Sequence, residues 1–279
     1  MDFYITLDNM KNTFLKFINK IPFYGSAILC LDDVNIQSLI PRVEKRHITY
    51  GLSSQADYTA GNVSIEGLNT YFNVYHCGNN LGRIRSGALG QHNILNTLAA
   101  VAVGMELDLD FKTVVSSLAQ FEGVQRRFEI VEQSSELIMI DDYGHHPVEI
   151  KATLKTAKDS WPTKKLVVLF QPHRYSRTKS LMKDFWSAFN DADTLLVIDI
   201  FAAGENPVEN VHANDIVNGV RDYGHKNTTY IKSQNDLNKC LDQLIKPGDI
   251  FMTLGAGDVW KLGKEYLMTR SSTKKTTNN

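Results

Sequence analysis

The sequence of 279 residues is poor in cysteine: Cys30, Cys77 and Cys240 stand far apart and form no C-x-x-C pair. This argues against a disulfide-stapled secreted domain and a thiolate zinc site, and fits reduced thiols in a cytoplasmic protein. No apolar run reaches the roughly 20 residues that span a bilayer. The N-terminus "MDFYITLDNM" carries carboxylates where a secretion signal needs cations followed by an apolar core. With a net charge of −1, the chain has no field to draw nucleic acid or an anionic membrane, so neither is expected as a partner. Small anions need only a local basic pocket and stay open. A glycine-rich phosphate loop is also missing. The one Gly-Lys dipeptide, Gly263–Lys264, is followed by Glu265 rather than Ser or Thr.

What is present is ordinary globular material, 43% hydrophobic and 22% charged, enough for one or two domains with a substantial core. Residues 6–19 space Leu7, Met10, Phe14, Phe17 and Ile18 along one helical face. "SAILCL" and "HITYGL" read as strands around a short helix "VNIQSLI", and Ala56 to Leu89 reads as strands with turns at "EGLN" and "CGNN". "GQHNILNTLAAVAVGMEL" predicts a helix buried beyond Asn96, "FKTVVSSLAQF" predicts another, and "EGVQRR" marks a domain joint. Beyond it the strands "ELIMID", "KLVVLFQ", "TLLVIDI", "TTYI" and "DIFMTLG" alternate with helices starting near His146, Thr178, His212, Gln234 and Gly257. That alternation predicts an α/β fold with a Rossmann-like parallel sheet covered on both faces. The tail "TRSSTKKTTNN" has no apolar residues and is expected to be disordered.

Polar clusters recur at the carboxyl ends of these strands, where ligands collect in open α/β sheets. They are "DDYGHHP" (141–147), "QPHRYSRT" (171–178), "DIFAAGENP" (199–207) and "GAGD" (255–258). Arg174 and Arg177, three apart and just before a helix start, suit a carboxylate or phosphate. The alternative is a solvated basic turn with Thr178 as the helix N-cap. In "DDYGHHP" the neighbours His145 and His146 do not readily face one ion, and no HExxH accompanies them. A hydrogen-bonding platform for a polyhydroxylated or amino-acid ligand is the preferred reading, with no metal expected there. His146 before Pro147 reads as an N-cap or a packed core histidine. Asn93 and Asn96 share a helical face and suit a base edge, unless they merely cap the helix. Arg126 and Arg127 read either as surface charges or as phosphate ligands.

"GQHNILN", "GVQRRFE", "DDYGHHP", "QPHRYSRT" and "GAGD", in this order and spacing, resemble the Mur ligases of peptidoglycan synthesis. The likeness runs over residues 1–267. It implies the C-terminal part of an ATP-binding central domain in 1–124, a Rossmann-like ligase domain in 125–267, and a tail from 268 to 279. The family reaction is ATP-dependent amide formation: the lactyl carboxylate of UDP-N-acetylmuramate is phosphorylated, and an L-alanine amine attacks the acyl phosphate. A related branch that adds a preformed peptide, or a non-catalytic binding module, is the alternative. By motif, Asn93 and Asn96 meet the adenine region of ATP, Arg127 its phosphates and Asp142 its ribose. Tyr143, His145, His173, Arg174 and Arg177 shape the acceptor pocket, with Arg127, His145 and Arg174 closest to catalysis. The resemblance places the Mg²⁺ ligands and the phosphate loop upstream of the part resembled here. The chain therefore looks like a truncated frame or half of a split gene. It is expected to need a separately encoded N-terminal half and to be inactive alone.

Overall fold

In a computed structural model of the chain the described residues are 4, 6–121 and 123–277, with side chains described as far as 270. The chain divides into two compact units, Met1–Glu122 and Gly123–Asn279. Among the described residues no helix is long and apolar enough to cross a membrane.

The first unit holds α1 (Leu7–Ile18), β1 (Ala27–Cys30), α2 (Val34–Leu39), β2 (His47–Gly51), β3 (Tyr58–Glu66), β4 (Asn69–His76), β5 (Asn79–Ser86), α3 (Gln91–Glu106) and α4 (Phe111–Ala119). Its sheet runs β1-β2-β3-β4-β5, parallel across the first three strands and antiparallel across the last three. The β4–β5 hairpin closes on Cys77 (φ 46°) and Gly78 (φ 83°), the two left-handed residues that a type I′ turn requires. Alternation along β4 sends Phe72 and Val74 inward, against Ile94, Leu98, Val101 and Ala102 of α3. Each such side chain, fully buried, contributes about 1.5–3 kcal/mol. The face expected for α1 is only partly used. Leu15 and Ile18 are buried, whereas Phe14 and Phe17 are 51% and 72% exposed.

The second unit holds β6 (Glu129–Gln133), β7 (Leu137–Asp142), α5 (Pro147–Ser160), β8 (Leu166–Phe170), α6 (Tyr175–Ser180), α7 (Met182–Trp186), β9 (Thr194–Val197), α8 (Ala213–Asp222), β10 (Thr228–Tyr230), α9 (Gln234–Leu244), β11 (Asp249–Leu254) and α10 (Val259–Thr277). Its sheet order is β10-β9-β8-β11-β7-β6, and all neighbours are parallel except β6, an antiparallel edge strand. Every residue of β7, β8 and β9 is buried, as a sheet covered on both faces demands. β6 was not anticipated: "EIVEQ" is too polar to read as a strand, and only its edge position tolerates it.

One expectation is corrected by a helix. The helix expected near Thr178 begins at Tyr175, and Thr178 is fully buried inside it, donating its hydroxyl to the Arg174 carbonyl at 2.8 Å. It is therefore not the N-cap. α10 runs on to Thr277, and Asn278 and Asn279 lie outside the described residues. Extending a formed helix adds one hydrogen bond per residue fixed, so no apolar face is needed for the added turns.

Candidate active site

Four loops leave one edge of the second sheet: 143–146 after β7, 171–174 after β8, 198–212 after β9 and 255–258 after β11. Asp141 and Asp142 end β7, both buried, and alternation sends them to opposite faces. Asp142 Oδ2 accepts from the Phe128 N–H at 2.7 Å and Oδ1 from the Gly144 N–H at 2.6 Å. With both oxygens held by main chain, this carboxylate braces the 126–128 turn to the loop after β7. Burial pushes it above the usual carboxylate range, against the pull of those two donors and of Arg127.

Arg126 turns inward from a left-handed backbone, φ 59°. Its Nε donates to Asp141 Oδ2 at 3.0 Å and its Nη2 to the Gly255 carbonyl at 2.6 Å. Its own carbonyl accepts from Tyr143 N–H at 2.6 Å. Asp141 also accepts from Thr253 Oγ1 at 2.5 Å. Arg126 is thus not a loose surface charge, which corrects that reading of the residue. Arg127 is exposed. The two guanidinium carbons lie 5.0 Å (Arg126) and 5.7 Å (Arg127) from the Tyr143 ring centre, within cation–π range.

From Tyr143 a row of rings crosses the loops. Tyr143 meets His145 edge-on at 5.5 Å, His145 lies 5.8 Å from His173, and His173 stacks on Phe201 at 5.6 Å and 11°. The loops after β8 and β9 are joined here by main chain: Arg174 N–H donates to the Phe201 carbonyl, and Phe201 N–H to the Pro172 carbonyl, each at 2.8 Å. Arg177 Nη1 donates to His173 Nδ1 at 3.0 Å. Phe201 had no signal in the sequence beyond its place past a strand end.

The hydrogen bonds fix the two tautomers in opposite senses. His145 Nδ1 lies 3.1 Å from the Tyr143 carbonyl, which only accepts, so Nδ1 carries the proton and Nε2 is the acceptor. His173 Nδ1 faces a guanidinium, which only donates, so its proton is on Nε2. Burial and then Arg177 lower the pKa of His145, with the Tyr143 carbonyl opposing. Burial, Arg177, His145 and Arg174 bring His173 down to about 4. Both rings are neutral at pH 7.

His146 is the N-cap of α5, accepting from Val148 N–H at 3.3 Å, with Pro147 first in the helix. Glu149 Oε2 accepts from the N–H groups of His145 and His146 at 3.1 and 3.2 Å, completing a capping box. Its spacing of three from His146 was a signal available in the sequence. The start of α6 is already occupied. Glu205 accepts from Ser176 N–H at 3.0 Å and Ser176 Oγ at 2.6 Å, so that helix-start N–H is taken by the protein's own carboxylate. Arg174 stands exposed at φ 70° ahead of it. Gln171 bonds Asp258 Oδ1 at 3.0 Å and accepts Val259 N–H at 3.1 Å, tying β8 to α10. An added Cβ on Gly257 would lie 2.3 Å from Gln171 Oε1, so that turn needs glycine.

In the first unit Gly90 is the N-cap of α3, so neither asparagine caps the helix. Asn93 Nδ2 donates to the Leu89 carbonyl at 2.7 Å, and Asn96 Nδ2 to Asn93 Oδ1 at 3.3 Å. Asn93 is half-buried and Asn96 exposed. Among the described residues no group of three or more His, Cys, Asp or Glu converges to hold a metal.

Fold and site together define a two-unit α/β chain whose second unit carries a braced row of neutral imidazoles and arginines at the carboxyl ends of its strands. Residues 1–104 match the Mur ligase middle domain, and residues 126–257 match the Mur ligase, glutamate ligase domain. The chain belongs to the Mur ligase family. It is 49% identical over 274 residues to a UDP-N-acetylmuramate–L-alanine ligase of Geobacter sp. (strain M21), covering 98% of this chain and 59% of that protein. It is 46% identical over 268 residues to the like-named ligase of Geobacter sulfurreducens, covering 96% and 58%. The structure of UDP-N-acetylmuramate–alanine ligase from Thermotoga maritima superposes with a TM-score of 0.77 at 25% identity, covering 96% of this chain and 56% of that one. The chain thus spans under two thirds of the length of the relatives it matches.

Proposed function

We propose that this chain is the acceptor-side part of an ATP-dependent ligase that joins L-alanine to UDP-N-acetylmuramate in peptidoglycan precursor synthesis, and so serves cell wall growth, cell shape and division. One observation carries the reading. Tyr143, His145, His173 and Arg177 meet in one row, in a chain 46–49% identical to relatives named for that reaction. The first 124 residues would contribute to the ATP-binding central domain, and 125–267 would be the ligase domain, acting in the cytoplasm.

The chemistry follows from the donor set. Arg174, exposed, and Arg177, held against His173, grip the amino-acid carboxylate. His145 Nε2 accepts a proton from the attacking amine while the C–N bond forms and phosphate leaves the activated carboxyl carbon. Arg127, exposed and without the inward contacts of Arg126, would meet the phosphates of ATP, as the family motif implies. Asn96, also exposed, reads the adenine, with Asn93 orienting it through their hydrogen bond. Mg²⁺ would neutralise phosphate charge in this reaction, and among the described residues no group of three or more His, Cys, Asp or Glu converges to hold it. A separately encoded N-terminal half is the partner this reading calls for.

The test is phosphate release with UDP-N-acetylmuramate, L-alanine and MgATP. The chain alone should turn over nothing, because phosphoryl transfer rests on positioning and charge stabilisation that a phosphate loop would supply. Adding the N-terminal half of a related ligase should give L-alanine-dependent turnover. Turnover by the chain alone, or none by a pair that assembles, overturns the proposal.

A further inference from the structure

We infer that Arg126 is a positioning residue: it sets the place of the Tyr143 ring, and through it the His145 ring, without touching substrate itself. As a feature of an acceptor pocket this role rests on the proposed ligase function; as a coupling within the fold it does not.

Arg126 is tied to the site at four points. Its carbonyl accepts the Tyr143 N–H, its guanidinium carbon lies 5.0 Å from the Tyr143 ring centre, its Nε bonds Asp141 and its Nη2 bonds the Gly255 carbonyl. Its own N–H donates to Glu129 Oε2 at 2.8 Å, which holds the left-handed turn. Asp141 ends β7 and Gly255 follows β11, so one planar fork spans two adjacent strand ends and lies by the first ring of the row. Arg127, the other cation near that ring, is exposed on a flexible stem and has no such anchors among the described contacts. The two adjacent arginines therefore divide the work. Arg126 faces inward and fixes Tyr143, and Arg127 keeps its donors outward. Tyr143 in turn meets His145 edge-on at 5.5 Å, so a displaced phenol moves the imidazole whose Nε2 is the acceptor.

The test reads histidine ring signals by NMR in the full 279-residue chain, which needs no activity. Arg126→Gln alone would leave Asp141 buried without its partner, so it is paired with Asp141→Asn; Arg126→Lys is the second variant. Lysine keeps a charge beside Asp141, but one ammonium does not reproduce a fork that reaches Gly255 as well. His225, bonded to the Ala192 carbonyl at 2.9 Å in the same unit, reports that the unit is folded. With His225 unmoved, His145 should shift or broaden in the double variant, shift less in Arg126→Lys, and stay near its place in Arg127→Gln. A folded double variant or Arg126→Lys with His145 unmoved overturns the proposal, as does a larger displacement from Arg127→Gln. In an enzyme completed by an N-terminal half, the double variant should raise KM for L-alanine about tenfold and leave KM for ATP unchanged, whereas a folding defect lowers kcat alone. A moved His145 with no L-alanine turnover in any variant, wild type included, counts against the ligase reading and leaves the positioning role standing.

Discussion

The strand-end site of the second unit and the asparagine pair of the first are both polar, yet they are built in opposite ways. At the strand ends nearly every polar atom is held by another: Asp142 by two N–H groups, Arg126 by Asp141 and Gly255, His173 by Arg177, the start of α6 by Glu205. On α3, the Asn96 side chain bonds only its neighbour Asn93 among the described residues and is otherwise exposed. Fixing a group in advance lowers the entropy cost of using it, whereas an exposed side chain meets that cost when the ligand arrives. The second unit should therefore lose stability when its site is cut, and the first should lose only what the asparagines do for a ligand.

The largest effect should come from Asp142→Ala. It leaves the Phe128 and Gly144 N–H groups buried without acceptors, at about 1–3 kcal/mol each, so the unfolding free energy of the second unit should fall by roughly 2–5 kcal/mol in denaturant melts. Asp142→Asn, which keeps one acceptor oxygen, should lose about half of that. Wild-type stability in the alanine variant would free this carboxylate for the ribose contact suggested by the family motif.

The arginines should separate next. In an enzyme completed by an N-terminal half, Arg174→Ala and Arg177→Ala should each cost about 1.5–3 kcal/mol of transition-state stabilisation, read as kcat/KM for L-alanine. Arg174 is exposed, so its loss should spare stability. Arg177 also depresses His173, so removing it should raise that imidazole from about 4 part of the way back toward its ordinary value, burial still opposing the charge. The sign is fixed by linkage. A depressed histidine leaves stability whole above its unfolded pKa near 6.5 and loses it as pH falls toward about 4. In Arg177→Ala this acid loss should shrink, visible by histidine NMR titration. An unmoved His173 would break the link between the arginine and the ring.

Much of the strand-end geometry was legible because its causes are local. Apolar β-branched runs separated by helices fix a parallel sheet, and a parallel sheet delivers its loops to one edge, so the clusters at 141–147 and 171–178 had to be neighbours of that edge. The capping role of His146 was legible from Pro147. What stayed hidden depends on partners far along the chain. Arg126 and Arg127 look alike in "QRR", and what separates them is the set of partners Arg126 finds, Asp141 and the carbonyl of Gly255, the latter 129 residues away. Likewise Ser176 gives no hint that Glu205 will fill the start of its helix, and Phe14 and Phe17 carry a periodicity that burial does not follow.

The smallest effect tests the other side of the comparison. Asn93 Nδ2 donates to the Leu89 carbonyl just ahead of α3, so Asn93→Ala removes one half-buried hydrogen bond and should cost the first unit about 1 kcal/mol. Asn96 is exposed and, among the described residues, its side chain bonds only Asn93, so Asn96→Ala should change stability by less than about 0.5 kcal/mol, as surface substitutions do. If this face meets a base edge, the order reverses for the ligand. Asn96→Ala should then weaken ATP binding by an enzyme completed with its N-terminal half as much as Asn93→Ala does, because the outward amide makes the contact and the inner one only aims it. Thermal melts and nucleotide titrations on both variants give the two orders separately. Equal ranking in both measurements would leave the pair a local hydrogen bond at a helix start, and the comparison with the braced site would then be one of packing alone.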